Sequence, residues 1–162
     1  TAINNAIENL QHIIATCKPC TTTAILKTWL YAWTTNNRFG NYSQPCPLCH
    51  QPDSDTLRHF YNCGTLTDAA KTALNQPHLP TTREYFFLAL PYSTMQNYSK
   101  PLLTLNAIHI YCITNTYQTV KHAPDNDVHD TYHATLKRLL QHDPRLVNTY
   151  LLAQSTQLYH QE

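Results

Sequence analysis

Apolar residues recur every three to four positions along almost the whole chain, and this spacing constrains the fold most strongly. A 3.6-residue repeat gathers such residues on one helix face, whereas a half-buried strand needs strict alternation. Ile3, Ala6, Ile7, Leu10, Ile13 and Ile14 form one stripe and predict a helix over residues 2–15. Cys17-Lys-Pro-Cys20 breaks it. Thr22 or Thr23 then caps a second helix, with Ile25, Leu26, Trp29, Leu30 and Trp33 on its apolar face. Residues 36–47 read as a loop, and short helices are expected over residues 57–63 and 67–75. Thr81 or Thr82 opens another helix through Tyr85, Phe86 and Leu88, ended by Pro91. Ser99 caps a long helix with Pro101 in its first turn, and Leu102, Leu105, Ile108, Cys112, Ile113, Tyr117 and Val120 line its buried side. Val128, Tyr132, Leu136, Leu139 and Leu140 stripe the next. Asp143-Pro144 starts the last, where Leu146, Val147, Tyr150, Leu151 and Leu158 are expected to face inward. The predicted class is all-α, with about seven or eight helices.

A chain of 162 residues suits one domain and can bury a sizeable core. Charged residues make 13% of it, half the usual ~25%, and Thr, Asn, Gln, His and Tyr take their place. Such a polar but weakly charged surface suits a subunit covered by neighbours. A net charge of +1 supplies no field toward nucleic acid or anionic lipid. Gly40 and Gly64, the two glycines, are too far apart for a phosphate-binding loop. The most apolar region, residues 102–120, is interrupted by Asn106, His109 and Asn115, so no membrane span is expected. No basic-then-apolar signal segment opens the sequence, and the start at Thr1 is compatible with a processed leader.

The strongest chemical signal is Cys46-Pro-Leu-Cys49, then His59, then Cys63. A two-residue gap lets two thiolates reach one ion from a tight turn. His59 and Cys63 are four apart and share a helix face. Three Cys and one His complete a tetrahedral zinc site with no position left for water, so the expected role of one Zn2+ is structural. One disulfide with a spare thiol, or three unligated core cysteines, are the alternatives, and the joint spacing favours zinc over both. His50 is a rival ligand that would have to fold back onto the ion its neighbour Cys49 holds.

The other motifs carry less. Cys17 and Cys20 repeat the two-residue gap, but no nearby His or Cys completes a metal site and no βαβ unit marks a redox motif. A turn with two incidental thiols, or a disulfide, remains. Cys112 reads as core. His129 and His133 share a helix face with Asp130 between them, yet no third ligand is evident, and a polar face is the better reading. Asp125, Asp127 and Asp130 favour a helix start. Neither a Ser–His–Asp set nor a paired-carboxylate set occurs.

Lys27-Thr-Trp-Leu-Tyr-Ala-Trp33, Arg38-Phe39, Cys46-Pro-Leu-Cys49 and Asp55-Thr-Leu-Arg-His59-Phe-Tyr-Asn-Cys63 together resemble the zinc-knuckle region near the C-terminus of non-LTR retrotransposon reverse transcriptases. There a Cys-x-x-Cys precedes an acidic-Thr-Leu-x-His stretch and a last Cys. Phe86-Phe-Leu-Ala-Leu90 and the long helix ending in Tyr117 and His122 resemble the helical tail that follows, so the likeness covers about residues 24–122. It implies Cys46, Cys49, His59 and Cys63 as zinc ligands. It also implies a grip on RNA or DNA, for which Arg38, Arg58 and Lys71 are the candidate contacts, with ordinary solvated charges as the alternative. Trp29 and Trp33 fit a core stripe better than a base-stacking platform. Two departures stand out. His50 occupies the place where the family usually has Gly, and the polymerase domain with its catalytic carboxylates is absent from these residues.

The expected organisation is an N-terminal helix or arm over residues 1–20 and a helical domain over 21–162 that holds the knuckle at 46–63. The expected function is non-catalytic: a retrotransposon-derived, zinc-stabilised helical subunit of a larger assembly, with protein subunits as partners. A nucleic-acid-binding knuckle module is the alternative. The expected location is intracellular, with an organelle such as the mitochondrion as one candidate compartment.

Overall fold

The structure is a computed structural model that describes residues 1–89 and 99–159. Its organising element is α6 (Ser99–His122), 24 residues long. The sequence puts apolar or small residues on nearly every side of this helix. Leu103, Ala107 and Ile110 are buried along with Leu105, Ile108, Ile113 and Tyr117, the stripe the sequence marks. Seven other α-helices occur among the described residues, and no strand: α1 (Ala2–Thr16), α2 (Pro19–Trp29), α3 (Leu57–Phe60), α4 (Gly64–Leu74), α5 (Arg83–Phe86), α7 (Val128–His142) and α8 (Val147–Ser155). Short 3-10 turns cover Asn37–Phe39 and Pro144–Leu146. Helices α2, α7 and α8 pack against α6, and α4 packs against α7, so α6 is wrapped rather than covered on one face.

Local chemistry explains most boundaries. Thr1, Thr56, Thr82 and Asp127 each accept a backbone N–H as N-caps of α1, α3, α5 and α7. Asn75 ends α4 in a left-handed conformation, and its amide donates to the Gln154 carbonyl at 2.7 Å. Buried Gln76 donates to the Ala153 and Thr156 carbonyls and accepts the Leu158 N–H, which ties α4 to the C-terminal segment. The carbonyls around α5 find amide partners too: Asn9 of α1 reaches Leu88 at 2.7 Å and Asn106 of α6 reaches Tyr85 at 2.6 Å.

Four expectations need correction. First, α2 begins at Pro19, because proline's fixed φ suits the first helical position, and Thr21 lies buried within the helix. Second, α2 stops at Trp29, and a reversal with Tyr31 at φ +54° follows. Trp33 therefore enters the core from beyond the helix, while Leu26 and Leu30 are exposed. Third, the helices expected over 57–63 and 67–75 run over Leu57–Phe60 and Gly64–Leu74 instead. On α1, Asn9 and Ile13 face the body and Ile3, Ile7 and Ile14 stay in solvent, in line with a stripe larger than this chain's own core covers; the Asn9–Leu88 hydrogen bond fixes that roll. Fourth, Leu151 is exposed. The expected stop at Pro91 lies outside the described residues, as does the Ser99 side chain.

Candidate metal centre

The loop between α2 and α4 is built to bring four side chains to one point. Cys46 starts a tight turn in which the His50 N–H donates to the Cys46 carbonyl and the Cys46 N–H to the Gln51 carbonyl, both at 2.9 Å. His50 takes φ +59°, a left-handed value that costs an L-residue about 1–2 kcal/mol and costs glycine almost nothing. The Leu48 N–H points at Cys46 Sγ, 3.4 Å away. Thr56 caps α3 by accepting the His59 N–H at 3.1 Å, and the helix turns the His59 ring toward Cys49. Cys63 closes the set as the residue just before α4; because α3 ends at Phe60, it does not share a helix face with His59, contrary to what the four-residue spacing predicts.

The ligand atoms of Cys46, Cys49, His59 and Cys63 all lie within 4.8 Å of one another. Metal–sulfur bonds of about 2.3 Å place tetrahedral ligands roughly 3.8 Å apart, so the four atoms fit one ion. Cys49 Sγ and His59 Nε2 are 3.2 Å apart. Cys46 and Cys63 are fully buried, and Cys49 and His59 are half-buried. Their chemistry suits a cation. The hydrogen bond with Cys63, then burial, push the Cys46 thiol well above its ordinary value; burial also raises Cys49 and lowers His59. The Cys46 and Cys49 thiols hold their protons until a metal displaces them. The cluster can therefore bind one metal ion, and His50, the rival ligand, is outside it.

Behind the cluster is an aromatic wall. Phe60 stacks on Trp33 at 5.3 Å between ring centres and meets Tyr117 of α6 at 4.6 Å. Trp33 also touches Tyr117 and Phe86, and its indole N–H donates to Thr28 Oγ1 at 3.0 Å. This is core packing, as the sequence indicated for Trp33. Asp55 anchors the loop's other end. It is 2% exposed, accepts the Asn36 N–H at 2.7 Å and the Tyr117 hydroxyl at 2.9 Å, and lies 3.5 Å from the Lys121 ammonium. Lys121 also reaches the Thr34 carbonyl. The Asp-Thr-Leu-x-His run thus has a physical role at each named position: anchor, cap, core and member of the Cys/His cluster.

The candidate nucleic-acid contacts are less concerted. Arg58 is exposed on α3 and lines a groove of about 560 Å³ with Trp29, Tyr61, Phe87 and Arg83. Arg38 instead lies over the Phe39 ring, and Lys71 is in the last turn of α4; neither lines that groove. Arg83, which the sequence reading passed over, does. Among the described residues His129, Asp130 and His133 form no ligand cluster and are exposed. Gly64 starts α4, and a Cβ there would meet nothing within 4 Å, so this glycine shapes no close approach. No described helix is long and apolar enough to cross a membrane. Comparisons with protein-family models, curated protein sequences and solved structures return no match.

Proposed function

We propose that the chain is a non-catalytic helical domain stabilised by one structural zinc, derived from the tail of a non-LTR retrotransposon reverse transcriptase, and that it serves as a structural subunit of a larger assembly. The observation that carries this reading is the closed four-ligand cluster backed by the Trp33–Phe60–Tyr117 wall. Three cysteines and one histidine saturate a tetrahedral ion, leaving no position at which substrate or water could be activated. Zinc suits the donor set because thiolate and imidazole match its borderline softness. A scaffold role is supported by the exposed Ile3, Ile7 and Ile14 on α1 and Leu26 and Leu30 on α2, apolar surface that a partner protein would cover. Gentle affinity purification from the native source, followed by sizing, tests it. The expected result is co-migration with defined protein subunits in an organellar fraction; a free monomer would overturn the scaffold reading.

A nucleic-acid-binding module is the second reading. Arg58 and Arg83 beside Trp29, Tyr61 and Phe87 favour it, since cations and aromatic faces together grip single strands. Titration with single-stranded RNA and duplex DNA at low and physiological salt separates the two. Weak binding that salt abolishes supports the scaffold. Tight binding that survives physiological salt, and is lost on changing Arg58 and Arg83 to Ala, supports the module.

A further inference from the structure

Two hollows on one side of the fold run into each other. One, of about 440 Å³, is walled by Ala2, Ile3, Ala6 and Ile7 of α1. The other is the groove of about 560 Å³ that Arg58 and Tyr61 line. Trp29, Arg83 and Phe87 line both, so the two make one trough between α1, α2, α3 and α5. Its walls are held in place. The Asn9 amide donates to the Leu88 carbonyl at 2.7 Å, which fastens α1 to the end of α5. Buried Phe86 meets the Tyr61 and Phe87 rings at 5.9 and 5.8 Å between centres and braces both. The trough differs along its length. At the α1 end it is hydrocarbon, with Ile3 72% and Ile7 46% exposed. At the α3 end it carries Arg58 and Arg83, both exposed, and no carboxylate lines it there. Neither arginine is in an ion pair among the described residues, and Arg83 lies over the Phe87 ring at 5.9 Å.

We propose that this trough docks one segment of a partner protein, a segment that presents bulky apolar side chains to Ile3, Ile7 and Trp29 and carboxylates to Arg58 and Arg83. The proposal rests on the scaffold reading above and adds the surface and the partner's chemistry to it. Charge complementarity selects the occupant. Two guanidinium groups without a counter-ion favour an acidic partner, and each offers the planar fork that a carboxylate meets with two hydrogen bonds. The hydrocarbon beside them selects a peptide over a polynucleotide. A single strand carries a phosphate at every nucleotide and needs a cationic track along its whole site. Here the α1 end offers isoleucine and alanine instead, and Glu84, which repels phosphate, lines it. Burial of Ile3 and Ile7 supplies the affinity, and the arginines set orientation and partner choice.

The test selects binders from a phage library of random dodecapeptides against the immobilised full chain in zinc-containing buffer. The enriched peptides are expected to combine Leu, Phe or Trp with Asp or Glu. Their affinity should fall roughly tenfold or more in Ile7→Asp and in the Arg58→Glu/Arg83→Glu double variant, the loss expected of an interface anchor. All three side chains are exposed, so melting curves should stay at the wild-type position. The same peptides remade with Lys in place of their acidic residues should bind the double variant better than the wild type. Basic peptides, peptides indifferent to these substitutions, or no enrichment at all would overturn the proposal. So would a single-stranded RNA dodecamer, or a dimer of the chain, whose binding the same substitutions abolish. Purification of the double variant from the native source separates the trough from the reading it rests on: subunits that still co-migrate with it leave the scaffold standing and the trough refuted.

Discussion

The Tyr117 hydroxyl donates to Asp55 Oδ1 at 2.9 Å, so the central helix is bonded directly to the stem of the loop that carries the Cys46–Cys49–His59–Cys63 cluster. Burial, and then the Asp55 charge beside it, hold that phenol well above its ordinary pKa, so it stays a donor at all working pH values. Asp55 is buried with Lys121 as its ion-pair partner. Lys121 is only half-buried and keeps the Thr34 carbonyl, so the main loss on removing Asp55 is the acceptor for the Tyr117 hydroxyl and the Asn36 N–H, which costs roughly 1–3 kcal/mol for each group left unpaired. Asp55→Ala is therefore expected to lose about that much for each of the two in urea melts. Tyr117→Phe should lose roughly 1.5–3 kcal/mol, the worth of a hydrogen bond to a charged group. Because the two share one contact, the double variant should lose less than the sum. Full additivity would show that the contact is not made.

His50 is a second checkpoint. Its φ of +59° is strained for any residue with a Cβ. His50→Gly is expected to leave metal affinity intact and to raise stability by up to about 1 kcal/mol, since glycine relieves the strain but has more freedom to lose on folding. His50→Val, β-branched in the same conformation, should destabilise. Loss of metal in His50→Gly would make His50 a ligand and break the Cys46–Cys49–His59–Cys63 assignment.

His109 sets an acid limit. It is buried in α6, with Nδ1 2.9 Å from the Tyr132 hydroxyl of α7, and burial lowers its pKa to about 4. The folded chain keeps it neutral while the unfolded chain protonates it near pH 6.5. The unfolded state thus binds the extra proton, and stability falls as pH drops from 6.5 toward 4, by about 3 kcal/mol in all. Urea melts at pH 7 and pH 4.5 should show His109→Gln losing less stability than the wild type over that interval. Equal losses would place the acid sensitivity elsewhere.

Much of this was legible in the sequence because helix periodicity and ligand spacing are local signals. The stripe of α6 and the Cys46-x-x-Cys49 pair need no tertiary knowledge. What the stripe could not reveal is how many neighbours cover a helix, so Leu103 and Ile110 went unmarked. The same gap hid the burial of Asn9: it is polar by sequence, yet it faces inward because a carbonyl 79 positions away in sequence, at Leu88, needs a donor. Trp33 appeared to continue the α2 face, since the reversal at Tyr31 carries no glycine to announce it. The anchoring role of Asp55 depends on Tyr117 and Lys121, 62 and 66 positions further on, beyond the reach of any local motif.

Loss of a ligand should be felt throughout the loop. Residues 44–64 supply little apolar area apart from Leu48, Leu57 and Phe60, so the proposed ion would be their main organiser. Cys63→Ser is expected to cost several kcal/mol, and amide exchange over residues 44–64 should rise to unprotected rates while α7 stays protected. Uniform protection across the loop would show that packing alone holds it.

The most direct test is the metal content of the folded chain, measured by native mass spectrometry on protein purified without added zinc, before and after a strong chelator. The account predicts a single zinc per chain, with the three cysteines of the cluster unlabelled by thiol reagents until the ion leaves and the loop unfolds with it. A metal-free chain with an unchanged melting curve, or a Cys46–Cys49 disulfide, would contradict it.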